Sequence, residues 1–89
     1  MIADGAGLSQ ITAAMYENDN KLNLENFKVV GFQKTHSANS LITDSAASGT
    51  AMACGTNTTN GTIGIDTKNN YYESILKICE KKGYNSGMI

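Results

Sequence analysis

The sequence has 89 residues, of which 40% are hydrophobic and 17% charged, and its formal net charge is -1. This length holds one small domain at most, and the near-neutral charge excludes the basic surfaces that bind nucleic acid or anionic membranes. No apolar run approaches the roughly 18 residues of a membrane span, so we expect a globular, loop-rich protein without a membrane partner.

The first half of the chain predicts one helix and one strand. A helix is expected over residues 7–18, where apolar residues recur every three to four positions after a glycine turn. Residues 17–26 are polar and predict a loop. Residues 27–35, FKVVGFQKT, are rich in aromatic and β-branched side chains and predict a strand.

The second half predicts two helices. Thr43 or Asp44 is a typical N-cap for a helix through Cys54, which Gly55 should end. Asn60-Gly61 is the strongest turn signal. The last helix should present one apolar face and end at Gly83; the residues of that face are Tyr72, Ile75, Leu76 and Cys79.

The chain ends resemble strands that are cut. Residues 1–3 look like the last residues of one strand, and residues 88–89 look like the start of another. We therefore expect a piece of a longer chain with a mainly parallel sheet and covering helices. In such folds the chemistry lies at the carboxyl ends of strands, where Asp4 and Ser45 are expected.

The stretch TDSAASGTAMACGT, residues 43–56, allows two interpretations. In the simpler one it is a capped helix, and Ser48 and Thr50 are surface hydroxyls. In the other, Ser45 is a nucleophile beside first-turn amides and a positive helix end that can hold a phosphate. A helix end stabilises a nearby anion by roughly 0.3–1 kcal/mol, which cannot ionise a serine at neutral pH. A metal is then the plausible activator, since zinc lowers the pKa of bound water to about 7.

Other candidate residues are weaker signals. Asp4 between small residues is typical of a turn, and metal ligation is its functional alternative. His36 is the sole histidine and is expected to be structural or exposed to solvent. Cys54 and Cys79 match no zinc spacing; a buried inert Cys79 is the usual interpretation, and a bridge between the two stays open. Asn57-Thr58-Thr59 and Asn60-Gly61-Thr62 are sequons that also arise by chance in such a loop.

Three blocks of the sequence resemble the alkaline phosphatase family, in order and at its separations. They are MIADGAGLSQIT, KTHSANSLITDSAASGTAMACGT and NGTIGID, and the resemblance covers nearly the whole chain. TDSAASGTA is the most specific of these motifs. The resemblance implies a three-layer α/β/α sandwich, of which residues 1–89 are the incomplete N-terminal portion of one catalytic domain.

The resemblance also implies a reaction and a set of site residues. It implies hydrolysis of small phosphate monoesters through a phosphoserine intermediate, with two zinc ions and one magnesium ion as cofactors. Ser45 would be the nucleophile and a metal ligand, and Asp4 would ligate metal. Asp44 would orient a phosphate-binding arginine, and the amides around Ser45 and Ala46 would hold the phosphoryl oxygens. A homodimer and a periplasmic or extracellular location are also implied.

The departures from the family leave alternatives open. Ala3 and Ala6 replace a common Gly and Met, Asn57 a common Lys, and His36 a common Tyr. The arginine, the zinc-binding histidines and the other acidic ligands of the family are expected beyond residue 89, so the isolated chain should be inactive. A non-catalytic anion-binding module is one alternative, and a phosphodiesterase, phosphomutase or sulfatase relative is another. The absence of proline argues against the sulfatase signature.

Overall fold

A computed structural model describes residues 2–87 of the chain. Its elements are helix α1 (Leu8–Glu17), a 3₁₀ helix (Asn23–Asn26), helix α2 (Ser45–Cys54) and helix α3 (Ile75–Lys81). The chain divides into two compact units, Met1–Phe32 and Gln33–Ile89. The assignment of residues 1–89 to a single catalytic domain stays a prediction.

Helix α1 confirms the helix that the sequence predicts in the first unit. The side chain of Gln10 reaches back and accepts a hydrogen bond from the Gly7 amide, at 2.9 Å. At the other end the Asn18 amide donates to the Ala14 carbonyl, at 3.2 Å. No described residue of α1 is buried, so helix propensity and these end contacts hold the helix within its unit. Residues 18–22 form part of the predicted loop, whereas Glu17 is the last residue of α1 and Asn23–Asn26 form a 3₁₀ helix that was not predicted.

The predicted strand over residues 27–35 is wrong in this structure. A strand is stabilised by hydrogen bonds to a neighbouring strand, and residues 2–87 contain no strand to pair with it. Its apolar side chains are therefore exposed, Val29 at 87% and Phe32 at 103%. Ile2 and Ala3 have no strand structure either, while Met1 and the predicted strand start at 88–89 lie outside the described residues.

Helix α2 confirms the predicted bounds at both ends. Asp44 is the N-cap, and its Oδ1 accepts from the Ala47 amide at 2.8 Å. Gly55 ends the helix with a φ of 70°, in the left-handed region that glycine adopts without a steric penalty. Local signals alone specify this element, because each end residue satisfies groups of the same helix.

Helix α3 is shorter than the sequence predicts. Ser74 caps it by accepting from the Lys77 amide, at 3.3 Å, so Tyr72 precedes the helix and is not on its face. Instead, Tyr71 next to it forms an isolated antiparallel bridge with Ile65. Gly83 ends the helix as predicted, with a φ of 85°. The Tyr84 amide donates to the Cys79 carbonyl and the Gly83 amide to the Glu80 carbonyl, which is the Schellman arrangement.

The interior of the second unit is small and mostly polar. Ala47 is the buried hydrophobic residue of the described chain, and the buried polar residues are Ser37, Thr50 and Thr58. Thr50 is 2% exposed, which corrects the expectation of a surface hydroxyl. Its Oγ1 donates to the Thr62 carbonyl and accepts from the Gly64 amide. The α/β/α sandwich is not confirmed, since residues 2–87 form three α-helices, one 3₁₀ helix and no strand.

Candidate functional site

Ser45 is the first residue of α2 and is exposed. The first helical hydrogen bond, from the Ser48 amide to the Asp44 carbonyl, begins one residue before it. The amides of Ser45 and Ala46 lie in the first turn, where a helix has no internal acceptor for them. This turn also carries the positive end of the helix dipole, so it attracts an anion.

The Asp44 carboxylate joins α2 to a distant turn. Its Oδ1 accepts from Ala47, and its Oδ2 accepts from the Gly61 amide at 2.6 Å. The Asp44 side chain, which immediately precedes Ser45 in the sequence, therefore caps α2 and also binds the turn at 60–61. A carboxylate offers about four lone-pair sites, so two accepted bonds leave capacity for a cation such as an arginine.

The Asn60 side chain binds the backbone on the same approach to Ser45. Its Oδ1 accepts from the Asp44 amide at 3.2 Å, and its Nδ2 donates to the Ile42 carbonyl at 3.0 Å. Its own amide donates to Oδ1 of Asn39, at 3.1 Å. The sequence predicts a turn at Asn60-Gly61 but not these contacts. The turn dipeptide was the one local signal that marked this position.

Ser45 also lines a cavity of about 320 Å³ in the second unit. Its lining includes Ser45, Gly49 and Ala53 of α2, together with Ile63 and Tyr72. Small side chains on α2 leave this space open. The cavity is thus continuous with the surface around the predicted nucleophile.

Asp4 lies in the first unit and is exposed. It occupies a turn in which the Ala6 amide donates to the Ala3 carbonyl at 3.2 Å, with Gly5 at a φ of 75°. The turn interpretation of DGAG is confirmed. The meeting of Asp4 and Ser45 at one metal site stays a prediction.

The described residues do not themselves form a complete metal site. In residues 2–87 no three side chains among His, Cys, Asp and Glu converge on a position that could hold a metal ion. Asp4 and Ser45 carry the hard oxygen donors that magnesium and zinc accept, so their chemistry fits as part of a ligand set. Cys54 and Cys79 are free and only partly buried, and His36 is exposed.

Both sequon asparagines use their carboxamides within the fold. Asn57 Nδ2 donates to the His36 carbonyl at 2.7 Å, and Asn60 Nδ2 is bound to Ile42 as described above. Thr58, the middle residue of the first sequon, is fully buried. These contacts favour a structural role for the two asparagines over glycan attachment.

The hydrogen bonds of Asp66 lower the pKa of its carboxyl group. Hydrogen bonds from the side chain and backbone of Asn70 lower the pKa of Asp66 below its usual value, with smaller effects from Lys68 and Tyr72. Both Asp66 oxygens are engaged, Oδ1 by the amides of Lys68 and Asn70 and Oδ2 by the side chains of Asn70 and Tyr72. Asp66 therefore organises the turn over 66–70, and it also accepts from Tyr72, which lines the cavity beside Ser45.

Comparison with known proteins gives a consistent result over the full chain. The family model "Alkaline phosphatase" matches residues 1–89. The repressible alkaline phosphatase of Saccharomyces cerevisiae is 32% identical over 99% of this chain and 17% of its own length. Alkaline phosphatase 4 of Bacillus subtilis is 34% identical over 100% of this chain and 21% of its own length. The human tissue-nonspecific isozyme of alkaline phosphatase is 29% identical over 99% of this chain and 20% of its own length.

The chain spans about a fifth of the length of the curated relatives it matches. No solved structure matches the chain.

Among the described residues, no helix has the length and apolar character that crossing a membrane requires.

Proposed function

The chain belongs to the alkaline phosphatase family, and on that premise we propose that its full-length protein hydrolyses small phosphate monoesters with Ser45 as nucleophile. The observation that carries this proposal is the position of Ser45. It is the exposed first residue of α2, directly after a cap carboxylate that is bound on both oxygens. The parent family supports phosphatase activity; the nucleophile and the intermediate are our inference.

The proposed reaction has two steps at Ser45. Its Oγ attacks phosphorus in line with the ester oxygen, which forms the Oγ–P bond and breaks the ester P–O bond. The proton of the Ser45 hydroxyl goes to the ester oxygen, which leaves as the alcohol, and the phosphoryl group stays on Ser45 as a phosphoserine. The oxygen of a water molecule then attacks phosphorus, which forms a new P–O bond and breaks the Oγ–P bond. Phosphate is released, and a proton from that water restores the serine hydroxyl.

The chain's own residues have defined parts in this scheme. The first-turn amides of Ser45 and Ala46 hold phosphoryl oxygens at the positive end of α2. Asp44 keeps the start of α2 in place and offers its remaining lone pairs to an arginine. The cavity beside Ser45 provides space for the organic group of a small ester.

We further propose that two zinc ions and one magnesium ion assist the reaction. A helix end supplies only about 0.3–1 kcal/mol, so the Ser45 hydroxyl needs another activator, and bound zinc lowers the pKa of a ligated hydroxyl strongly. Asp4 and Ser45 would each contribute a ligand, and the remaining ligands would come from outside residues 2–87. A homodimer with a periplasmic or extracellular location completes the proposal.

The full-length protein with zinc and magnesium tests the proposal against an aryl phosphate. We expect Ser45→Ala to lower kcat by about 10³-fold or more, because it removes the attacking atom. Ser48→Ala is the matched control, since Ser48 lies one turn further along the helix and its Oγ donates to the Asp44 carbonyl at 2.9 Å. This control should stay within about threefold of the wild type.

Three results would redirect the assignment. Full activity in Ser45→Ala would remove Ser45 as nucleophile. Phosphate binding without turnover, retained after Ser45→Ala and after metal removal, would favour an anion-binding module. Faster turnover of diesters or sulfates than of monoesters would favour another reaction of the same architecture.

A further inference from the structure

Asn60 binds the two backbone groups on either side of Thr43, two residues before the proposed nucleophile. Its Oδ1 accepts from the Asp44 amide and its Nδ2 donates to the Ile42 carbonyl. One side chain therefore holds an amide and a carbonyl that lie two residues apart in the segment leading into α2. Such pairing needs one donor and one acceptor on the same short side chain, which asparagine provides.

A second contact from the same turn reinforces the first. The Gly61 amide donates to Oδ2 of Asp44 at 2.6 Å. Asp44 is thus bound by the turn through its backbone amide and through its carboxylate. Its other oxygen caps α2 at Ala47. The start of α2 is therefore held from both directions along the chain.

The turn that makes these contacts is itself held. The Asn60 amide donates to Oδ1 of Asn39 at 3.1 Å, and that oxygen also accepts from the Ser37 hydroxyl at 2.8 Å. Ser37 is 5% exposed, so this support extends into the buried part of the unit. The turn consequently has a fixed base from which to orient the residues before Ser45.

We infer that Asn60 is a positioning residue that fixes the backbone at residues 42–44 and thereby aims Ser45 at phosphorus. The inference rests on the proposed function of Ser45. In this scheme Asn60 acts on Ser45 through Asp44. Displacement of a reacting group by about 1 Å can cost about 10²-fold in rate, even when its cause is remote from the chemistry.

Asn60→Ala in the full-length protein removes both side-chain contacts and tests this role. We expect kcat for an aryl phosphate to fall about 10- to 100-fold while KM changes by less than about threefold. Asn57→Ala is the matched control. Asn57 also joins residues 33–44 to residues 57–62 through its carboxamide, but its partner is the His36 carbonyl. The kcat of Asn57→Ala should stay within about twofold of the wild type, at a loss of Tm comparable to that of Asn60→Ala.

Hydrogen exchange of the peptide spanning 40–48 provides a readout that does not depend on turnover. In Asn60→Ala we expect the Asp44 amide to exchange at least about tenfold faster, because it loses its acceptor. Asn57→Ala should leave that amide unchanged.

The outcomes separate this inference from the proposed function. Activity that requires Ser45 but is unaffected by Asn60→Ala would overturn the positioning role and leave the nucleophile in place. Equal losses of kcat in Asn60→Ala and Asn57→Ala, in proportion to Tm, would also overturn it. An inactive wild type with faster exchange only in Asn60→Ala would overturn the proposed function and support the anchoring of residues 42–44 by Asn60.

Discussion

Two buried threonines show how differently one residue type can serve the same unit. The Thr50 hydroxyl has a partner on each side, the Thr62 carbonyl and the Gly64 amide, at 3.3 and 3.1 Å. Thr58 is fully buried, and its Oγ1 has no hydrogen-bond partner. Leaving a buried polar group unsatisfied costs about 1–3 kcal/mol.

Replacement of each threonine by valine should therefore have opposite effects. Thr50→Val leaves the Gly64 amide without its acceptor, and we expect the free energy of unfolding to fall by about 1–3 kcal/mol. Thr58→Val has nearly the same shape and removes an unpaired hydroxyl, so it should be neutral or stabilising. Denaturant unfolding of both variants measures the difference. Equal destabilisation would show that Thr58 has a partner, such as a bound water.

At the scale of elements, the glycine inside α2 and the glycine that ends it should respond in opposite directions to alanine. Gly49 lies inside the helix, and a Cβ built there meets no atom within 4 Å. Gly49→Ala should stabilise the chain by up to about 1 kcal/mol through helix propensity. Gly55 has a φ of 70°, so Gly55→Ala should destabilise it by about 1 kcal/mol. Thermal unfolding followed by circular dichroism compares the pair, and a gain of stability in Gly55→Ala would contradict the left-handed cap.

The turn over 66–70 should make stability depend on pH. Asn70 hydrogen bonds lower the pKa of Asp66 in the folded chain, so the ionised carboxylate favours folding. That contribution is present above the unfolded-state pKa and is lost as pH falls through the lower, folded-state pKa. Asn70→Ala should raise the pKa of Asp66 towards its usual value, as measured by NMR titration.

The control for that titration is Lys68→Ala. Lys68 acts on Asp66 through its backbone amide, which donates to Oδ1 at 2.8 Å, and the substitution keeps this amide. The pKa of Asp66 should therefore stay low in Lys68→Ala. A rise as large as in Asn70→Ala would mean that the positive charge of the lysine, and not the hydrogen bonds, lowers the pKa.

At the scale of the whole molecule, the described chain leaves most large apolar side chains in water. Ala47 is its buried hydrophobic residue, while Leu41 and Phe32 are fully exposed. A globular protein of this length should unfold with a heat-capacity change of about 1.1–1.3 kcal/mol/K. We expect the isolated 89-residue chain to show less than about half of this value, because unfolding exposes little new apolar surface.

Calorimetry of the isolated chain and of the full-length protein measures this difference. The full-length protein should show the usual change per residue, because its remaining part can cover these side chains. A normal value for the isolated chain would mean that its apolar residues are buried in solution, for example between copies.

We also expect the isolated chain to lack turnover of an aryl phosphate, since residues 2–87 form no complete metal site.

The sequence predicted the caps of α2, its bounds and the end of α3 because these depend on neighbouring residues. Asp44 binds an amide three residues away, and Gly55 and Gly83 adopt positive φ at the ends of their helices. The motif around Ser45 also identified the family, and the family match confirms it. Asp44, Ser45 and Ala46 stay predicted site residues, which the sequence groups because they belong to one short segment.

The tertiary structure decided what depends on residues distant in sequence. The contact of Asp44 with Gly61 joins residues 17 apart, and Asn60 reaches Ile42 across 18. No local pattern specifies which amide such a side chain will meet. The failed strand over 27–35 has the same cause, because β-branched residues form a strand only beside another strand. The two ends of α2 and the C-terminal end of α3 are therefore determined by the local sequence, whereas the support around Ser45 comes from how the second unit folds.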